Sequence, residues 1–184
     1  MKRVSIAVAL STVLSLPSCA SHNTAQTGQP TGTAATPAGT PFPKVHIQSR
    51  GNASQPVRIV QQIGNRKVYE LIARSSDSTL QSQTNSKGVF HQTRVTFFNS
   101  DGSSLSGNAP VATIDTASET VTLEGGVHAK NSDGVVLDCD RLEYDRRNGQ
   151  LIGTGNVRVT NPSGEALLGS SFRSDLQLSH VHVE

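Results

Sequence analysis

The sequence predicts an all-β domain of stacked antiparallel hairpins, and three observations predict it. Apolar residues alternate with period two after Val57, as in Lys67-Val68-Tyr69-Glu70-Leu71-Ile72-Ala73-Arg74, Thr93-Arg94-Val95-Thr96-Phe97-Phe98 and Thr120-Val121-Thr122-Leu123. Turn pairs recur at short intervals: Asp101-Gly102, Gly125-Gly126, Asp133-Gly134, Asn148-Gly149 and Ser163-Gly164. The chain also overlays on itself when shifted by thirty residues, so that Gly126 to Gly134 falls on Asn156 to Gly164, Leu137 on Leu167, Leu142 on Phe172 and Asp145 on Asp175. A looser copy lies upstream, where Asn99-Ser100-Asp101-Gly102 repeats as Asn131-Ser132-Asp133-Gly134. Each unit reads strand, tight turn, strand. A lone hairpin cannot bury its apolar face, so neighbouring units must stack into a sandwich, barrel or jelly roll.

Composition points the same way. Of 184 residues 34% are hydrophobic and 16% charged, with no Trp, too little Leu, Ala, Glu and Lys at helical spacing for a helix bundle. The formal charge is +2. Four of the 16 bases and none of the 14 acids precede Val57, so the remainder carries 12 − 14 = −2. With no basic stripe, a nucleic-acid partner is excluded.

The N-terminus reads as an address. Lys2-Arg3 precede an apolar run from Val4 to Leu16, shorter than the roughly 20 residues a spanning helix needs and built like a secretory signal. Leu16-Pro17-Ser18-Cys19 resembles the bacterial lipoprotein box, which implies a signal peptide over 1–18 and lipidation of Cys19; a plain secretory signal cut near Ser18 or Ala20 is the alternative. The mature chain is then expected outside the cytoplasm, held to a membrane by acyl chains. Cys139 is expected to be a free thiol, since lipidation of Cys19 removes the one disulfide partner it could have. Residues 19–56 read as a tether: Ala20 to Pro56 is rich in Ala, Thr, Gly, Pro, Gln and Ser and has no acid, cannot bury enough apolar surface to order itself, and would span roughly 35 Å. Within it Phe42, Val45 and Ile47 form a weak apolar island, read as incidental, with a docking strand as the alternative. The folded domain is expected over 57–184.

Inside the repeat the alternation slips once. Leu137 and Cys139 share one parity and Leu142 and Tyr144 the other; in the copy Leu167 and Gly169 stand against Phe172. One extra residue reverses the facing of everything after it, so the slip predicts a bulge or bend within the strand, as strands shared by two sheets require.

Chemistry-bearing residues form no constellation. His180 and His182 share a strand face without an evident third metal ligand. Asp138, Asp140 and Asp145 read as a solvated face, and Gly153-Thr154-Gly155-Asn156 lacks a following helix and reads as a turn rather than a phosphate loop. Cys139 between two acids should have a raised pKa. No enzymatic activity and no cofactor are expected.

The run Leu123-Glu124-Gly125-Gly126-Val127, then Asp133-Gly134, then Leu142-Glu143-Tyr144-Asp145, then Gly149 through Gly155-Asn156-Val157 resembles the OstA-like domain of the periplasmic lipopolysaccharide-transport proteins, the LptC and LptA group. Val95-Thr96-Phe97-Phe98 to Ile114-Asp115 is closer to the LptC branch, and the likeness covers Tyr69 to about Leu178. It implies an open β-jellyroll, V-shaped in section, whose apolar interior holds the acyl chains of lipopolysaccharide. It also implies edge-to-edge joining with an LptA-like bridge protein, fed by an inner-membrane ABC transporter. On that reading the groove is lined by Val95, Phe97, Leu123, Val127, Ala129, Leu142, Tyr144, Val157, Val159 and Phe172. Tyr69 and Leu71 at the front, and Leu176 and Leu178 at the back, mark the partner edges. The alternative is a structural lipoprotein that binds protein or glycan through its stacked hairpins. LptC proteins usually carry a transmembrane helix where this chain has a lipobox, so either membrane could hold the anchor.

Overall fold

A computed structural model describes residues 44–82 and 85–184. The expected signal peptide, Cys19 and most of the tether lie outside them. The described strands belong to one unit, Thr40–Glu184. In chain order they are β1 (Val45–Arg50), β2 (Val57–Ile63), β3 (Arg66–Ala73), β4 (Ser75–Leu80), β5 (Ser86–Phe98), β6 (Ser104–Asp115), β7 (Thr120–Asn131), β8 (Val136–Asp145), β9 (Gln150–Thr160), β10 (Ala166–Asp175) and β11 (His182–Val183). The fold is all-β. Eleven strands make one open antiparallel sheet in the order β1-β4-β5-β6-β7-β8-β9-β10-β11, with β3 also on β5 and β2 on β3.

The sheet is a meander of long strands, each broken once at the same level. Register shifts fall between Asn108 and Val111, Glu124 and Val127, Asp138 and Arg141, and Gly169 and Ser171. The slip read in the sequence between Cys139 and Leu142 is one of these, and its copy before Phe172 is another. Along the same line β3 gives way to β4 at Arg74, and Gln92, Gly125, Gly126, Gly155 and Asn156 take φ of 52°, 92°, 92°, 76° and 48°. Gly125-Gly126 is therefore not a turn between strands. It lies inside β7, where two consecutive left-handed residues need glycine. Gly153 to Asn156 likewise lies inside β9. Pro110, which has no N–H to offer a ladder, sits in the break of β6 and packs against Gly125.

The breaks divide the sheet into two leaves. Leaf one holds β2, β3 and the halves of β5 to β10 that run to the turns at 99–103, 132–135 and 161–165. Leaf two holds β1, β4, β11 and the remaining halves. The leaves face each other. Phe97 of leaf one and Tyr144 of leaf two meet with ring centroids 4.8 Å apart and planes inclined at 58°, and a Cβ on Gly107 of leaf one would come within 3.2 Å of Leu123 of leaf two.

Two expectations about the ends need correction. The domain begins before Val57, because Val45–Arg50, placed in the tether by composition, pairs with β4 from Val45↔Leu80 to Arg50↔Ser75. Leu176 and Leu178, expected on the back edge, lie in no strand; the outermost strand there is β11, His182–Val183, paired with Phe172 and Arg173.

Close packing across the ladder within leaf two makes a testable demand at Gly153, which pairs with Phe172. A Cβ there would stand 2.0 Å from the ring of Phe172, one of the largest fully buried side chains. Gly153→Ala is expected to lower the unfolding free energy by about 1–3 kcal/mol in urea titration, as overpacked cores do; a variant as stable as the parent would contradict the placement of that ring.

Candidate functional site

The inner faces of the leaves collect the residues predicted for a groove. Val95, Phe97, Leu123, Val127, Ala129, Leu142, Tyr144, Val157, Val159 and Phe172 all point inward and join one cluster. None is more than 6% exposed. Between the leaves they form a filled core, not an open trough. Side-chain parity foretells which way these residues face; it does not set the gap between the leaves, and here the gap is closed by contacts such as Phe97 on Tyr144 and Tyr69 edge-on to Phe97 at 6.4 Å. Burial raises the Tyr144 and Tyr69 hydroxyl pKa values, an effect that Arg146 opposes at both.

The predicted partner edges shift as well. Tyr69 and Leu71 lie on β3, which has β2 on one side and β5 on the other. The free borders are instead β1 and β2, with Val45, Ile47, Val60 and Ile63 exposed, and at the other end the short β11 and the first half of β10. Leu176 and Leu178 sit on no edge; both are buried against the core.

The two most exposed large apolar residues stand at the mouth between the leaves, on the β10 side. Leu167 pairs with Val159 across the ladder and shares its inward face, yet it is 56% exposed, and Leu168 on the outer face is 70% exposed. The thirty-residue repeat equates Leu167 with the fully buried Leu137; the difference is that no strand covers this half of β10. Val135, Val159, Leu167, Leu178 and Val181 line a cavity of about 290 Å³ there. At the opposite border a smaller cavity of about 100 Å³ lies among Gln61, Tyr69, Ile114, Val121 and Arg146.

After β10 the chain crosses this mouth. Asp175 ends the strand on leaf two. Two residues on, the Gln177 carbonyl accepts from Asn131 Nδ2 of leaf one at 2.6 Å, and Gln177 Nε2 donates to Asp101 in the turn after β5. Leu178 takes φ of 56°, a left-handed conformation that costs a non-glycine residue roughly 1–2 kcal/mol. The sequence carried a trace of this crossing in Leu176 and Leu178, whose alternation reads as a strand.

Among the described residues, one Ser, His and Asp come together, at the turn after β10. Ser179 Oγ donates to Asp175 Oδ2, and His180 Nδ1 lies 3.0 Å from Ser179 Oγ and 3.2 Å from Asp175 Oδ2. A hydrolytic relay places the carboxylate and the hydroxyl on opposite ring nitrogens; here both meet Nδ1, and the His180 side chain is 90% exposed. The group caps a turn. His182 pairs with Glu184 at 3.4 Å. The three aspartates scatter: Asp138 meets His128 at 2.7 Å, Asp140 accepts from Asn156 at 2.8 Å, and Asp145 accepts from the amide of Arg147 at 2.9 Å. Among the described residues no three His, Cys, Asp or Glu side chains are placed to hold a metal ion, and no helix is long and apolar enough to cross a membrane. No family model matches the chain, and no curated protein matches it.

These surroundings lead to two expected outcomes. Cys139 is free and buried; burial first, then Asp140 and Asp138, push its thiol up to about 12. In a Cys19→Ser chain, iodoacetamide at pH ~8 should leave the folded protein unmodified and alkylate Cys139 on unfolding, because only thiolate reacts; equal rates in both states would contradict its burial. Partial burial works to raise the Asp175 carboxyl, yet hydrogen bonds from the Ser179 hydroxyl and amide and from His180 outweigh it and hold it at about 2, against an ordinary 3.8. The folded state thus binds its proton later than the unfolded state, so this contribution to stability is present above about pH 3.8 and lost as pH falls to about 2. Melting curves across that window should show a shallower acid loss for Ser179→Ala than for the parent, and parallel curves would contradict the assignment.

Proposed function

We propose that this protein is an exported, lipid-anchored β-jellyroll that carries the acyl portion of an amphiphilic lipid, lipopolysaccharide by the likeness of its motifs, without catalysing a reaction. One observation carries the reading: Leu167 faces inward with Val159 but is open to solvent at a cavity whose other walls are the apolar Val135, Ala166, Leu178 and Val181, with Asn161 and Glu165 at its rim. A methylene buried there contributes about 0.8 kcal/mol, so roughly ten would give about 8 kcal/mol before the costs of association. Taking in a longer chain requires the leaves to part, separating Phe97 from Tyr144, while the lipid packs against each ring in the other's place. The breaks at one level in every long strand supply a line about which they can part. The signal-like N-terminus and Cys19 in its lipobox support placement in the periplasm, anchored to a membrane by lipid. An LptA-like bridge protein and an inner-membrane ABC transporter are the partners this reading calls for.

The exposed apolar residues of β1 and β2 favour a second reading, a scaffold that accepts a partner's strand along that border. A photoreactive phenylalanine in place of Leu167, in the full chain and in cells, separates the two. Adducts containing lipopolysaccharide are expected on the carrier reading; adducts with protein alone would replace it with the scaffold.

A further inference from the structure

We infer that the C-terminal segment, residues 176–184, is a plug that closes the mouth between the leaves and leaves it when lipid enters. This rests on the carrier reading and adds how the same site is controlled. The segment spans two bodies that must separate: it departs from leaf two at Asp175 and ties to leaf one through Asn131 and Asp101. Its apolar side chains occupy the place a ligand would take, with Leu176 and Leu178 buried and Leu178 and Val181 forming a wall of the cavity.

The ties are hydrogen bonds and one two-residue strand, and Glu184 also donates its amide to the Ser171 carbonyl at 3.0 Å. Only two residues of the segment form a strand, on Phe172 and Arg173. The Glu184 carbonyl accepts from the amides of Ser170 and Ser171 at 2.7 and 3.1 Å, and the turn 175–180 is held by exposed polar contacts. Leu178 keeps a left-handed backbone while it is seated, so release relieves strain that seating imposes. The segment therefore acts as an internal competitor. Its closed population lowers apparent ligand affinity by the fraction of molecules that are open.

The test uses the full mature chain, the fluorescent fatty acid cis-parinaric acid, and hydrogen exchange of the 176–184 amides. Gln177→Ala removes the side-chain tie to Asp101 of leaf one without touching the core, while the backbone tie from Asn131 stays, and it should tighten fatty-acid binding about threefold. Saturating the parent with the fatty acid should speed exchange of those amides. Leu178→Ala, which empties part of the plug, should act in the same direction, and Gln177→Ala covers the case in which it fails to fold. If the parent binds the fatty acid while the 176–184 amides exchange no faster and Gln177→Ala binds no more tightly, the plug is wrong and the carrier reading stands. If neither parent nor Gln177→Ala binds, the carrier reading falls and the plug falls with it.

Discussion

Every long strand of this sheet is broken once, and the breaks fall on one line. That alignment decides where the core forms and where the sheet stays open. A continuous antiparallel sheet of this width would keep one face in water; folded along the line, it turns its two leaves onto each other and buries the apolar face of both. The line is built locally, from the left-handed pairs Gly125-Gly126 and Gly155-Asn156, the left-handed Gln92, and Pro110, which cannot donate to a ladder. It is made polar where it must be: Thr93 Oγ1 donates to the Ala109 carbonyl at 3.0 Å, and Asp140 takes Asn156 Nδ2 at 2.8 Å, so backbone and side-chain groups at the crease keep partners.

The crease was legible in the sequence and the closure was not. The change of parity between Cys139 and Leu142 requires a bend whatever the fold, because facing alternates residue by residue. Gly125-Gly126 misled for a physical reason: positive φ serves a bulge as well as it serves a hairpin turn, and only the ladder on both sides distinguishes them. Val45–Arg50 showed in the sequence only as the apolar Val45 and Ile47, and the docking strand stood second to the tether because Val-His-Ile-Gln-Ser-Arg is short, exposed along most of its length, and adjoins low-complexity sequence. Tyr69 and Leu71 read as a border because nothing in Val57–Ile63 announces that it will pair outside them. The repeat predicted that Leu167 points inward, which it does; what it could not carry is that β10 lacks a neighbour there.

The closed interior and the open mouth set opposing demands. Filling the gap between leaves with Phe97, Tyr144, Leu123 and Phe172 stabilises the fold, since each large buried side chain contributes on the order of 2 kcal/mol. The same filling denies a long acyl chain any standing room. A carrier built this way must exchange side-chain contacts for lipid contacts as it opens, which keeps the empty state from exposing a greasy trough that would recruit other chains. The C-terminal crossing fits that logic, because it covers apolar surface at the mouth beside the first half of β10.

The central claim is that the leaves are shut without lipid and part at the mouth with it. Pulsed electron-spin resonance between labels at Asp133→Cys and Asn148→Cys, on the rims of leaf one and leaf two, measures this directly while buried Cys139 stays unlabelled. The account predicts one narrow distance distribution in the lipid-free protein and a longer one once lipopolysaccharide is bound. A broad distribution without lipid, or an unchanged one with lipid bound, would contradict it.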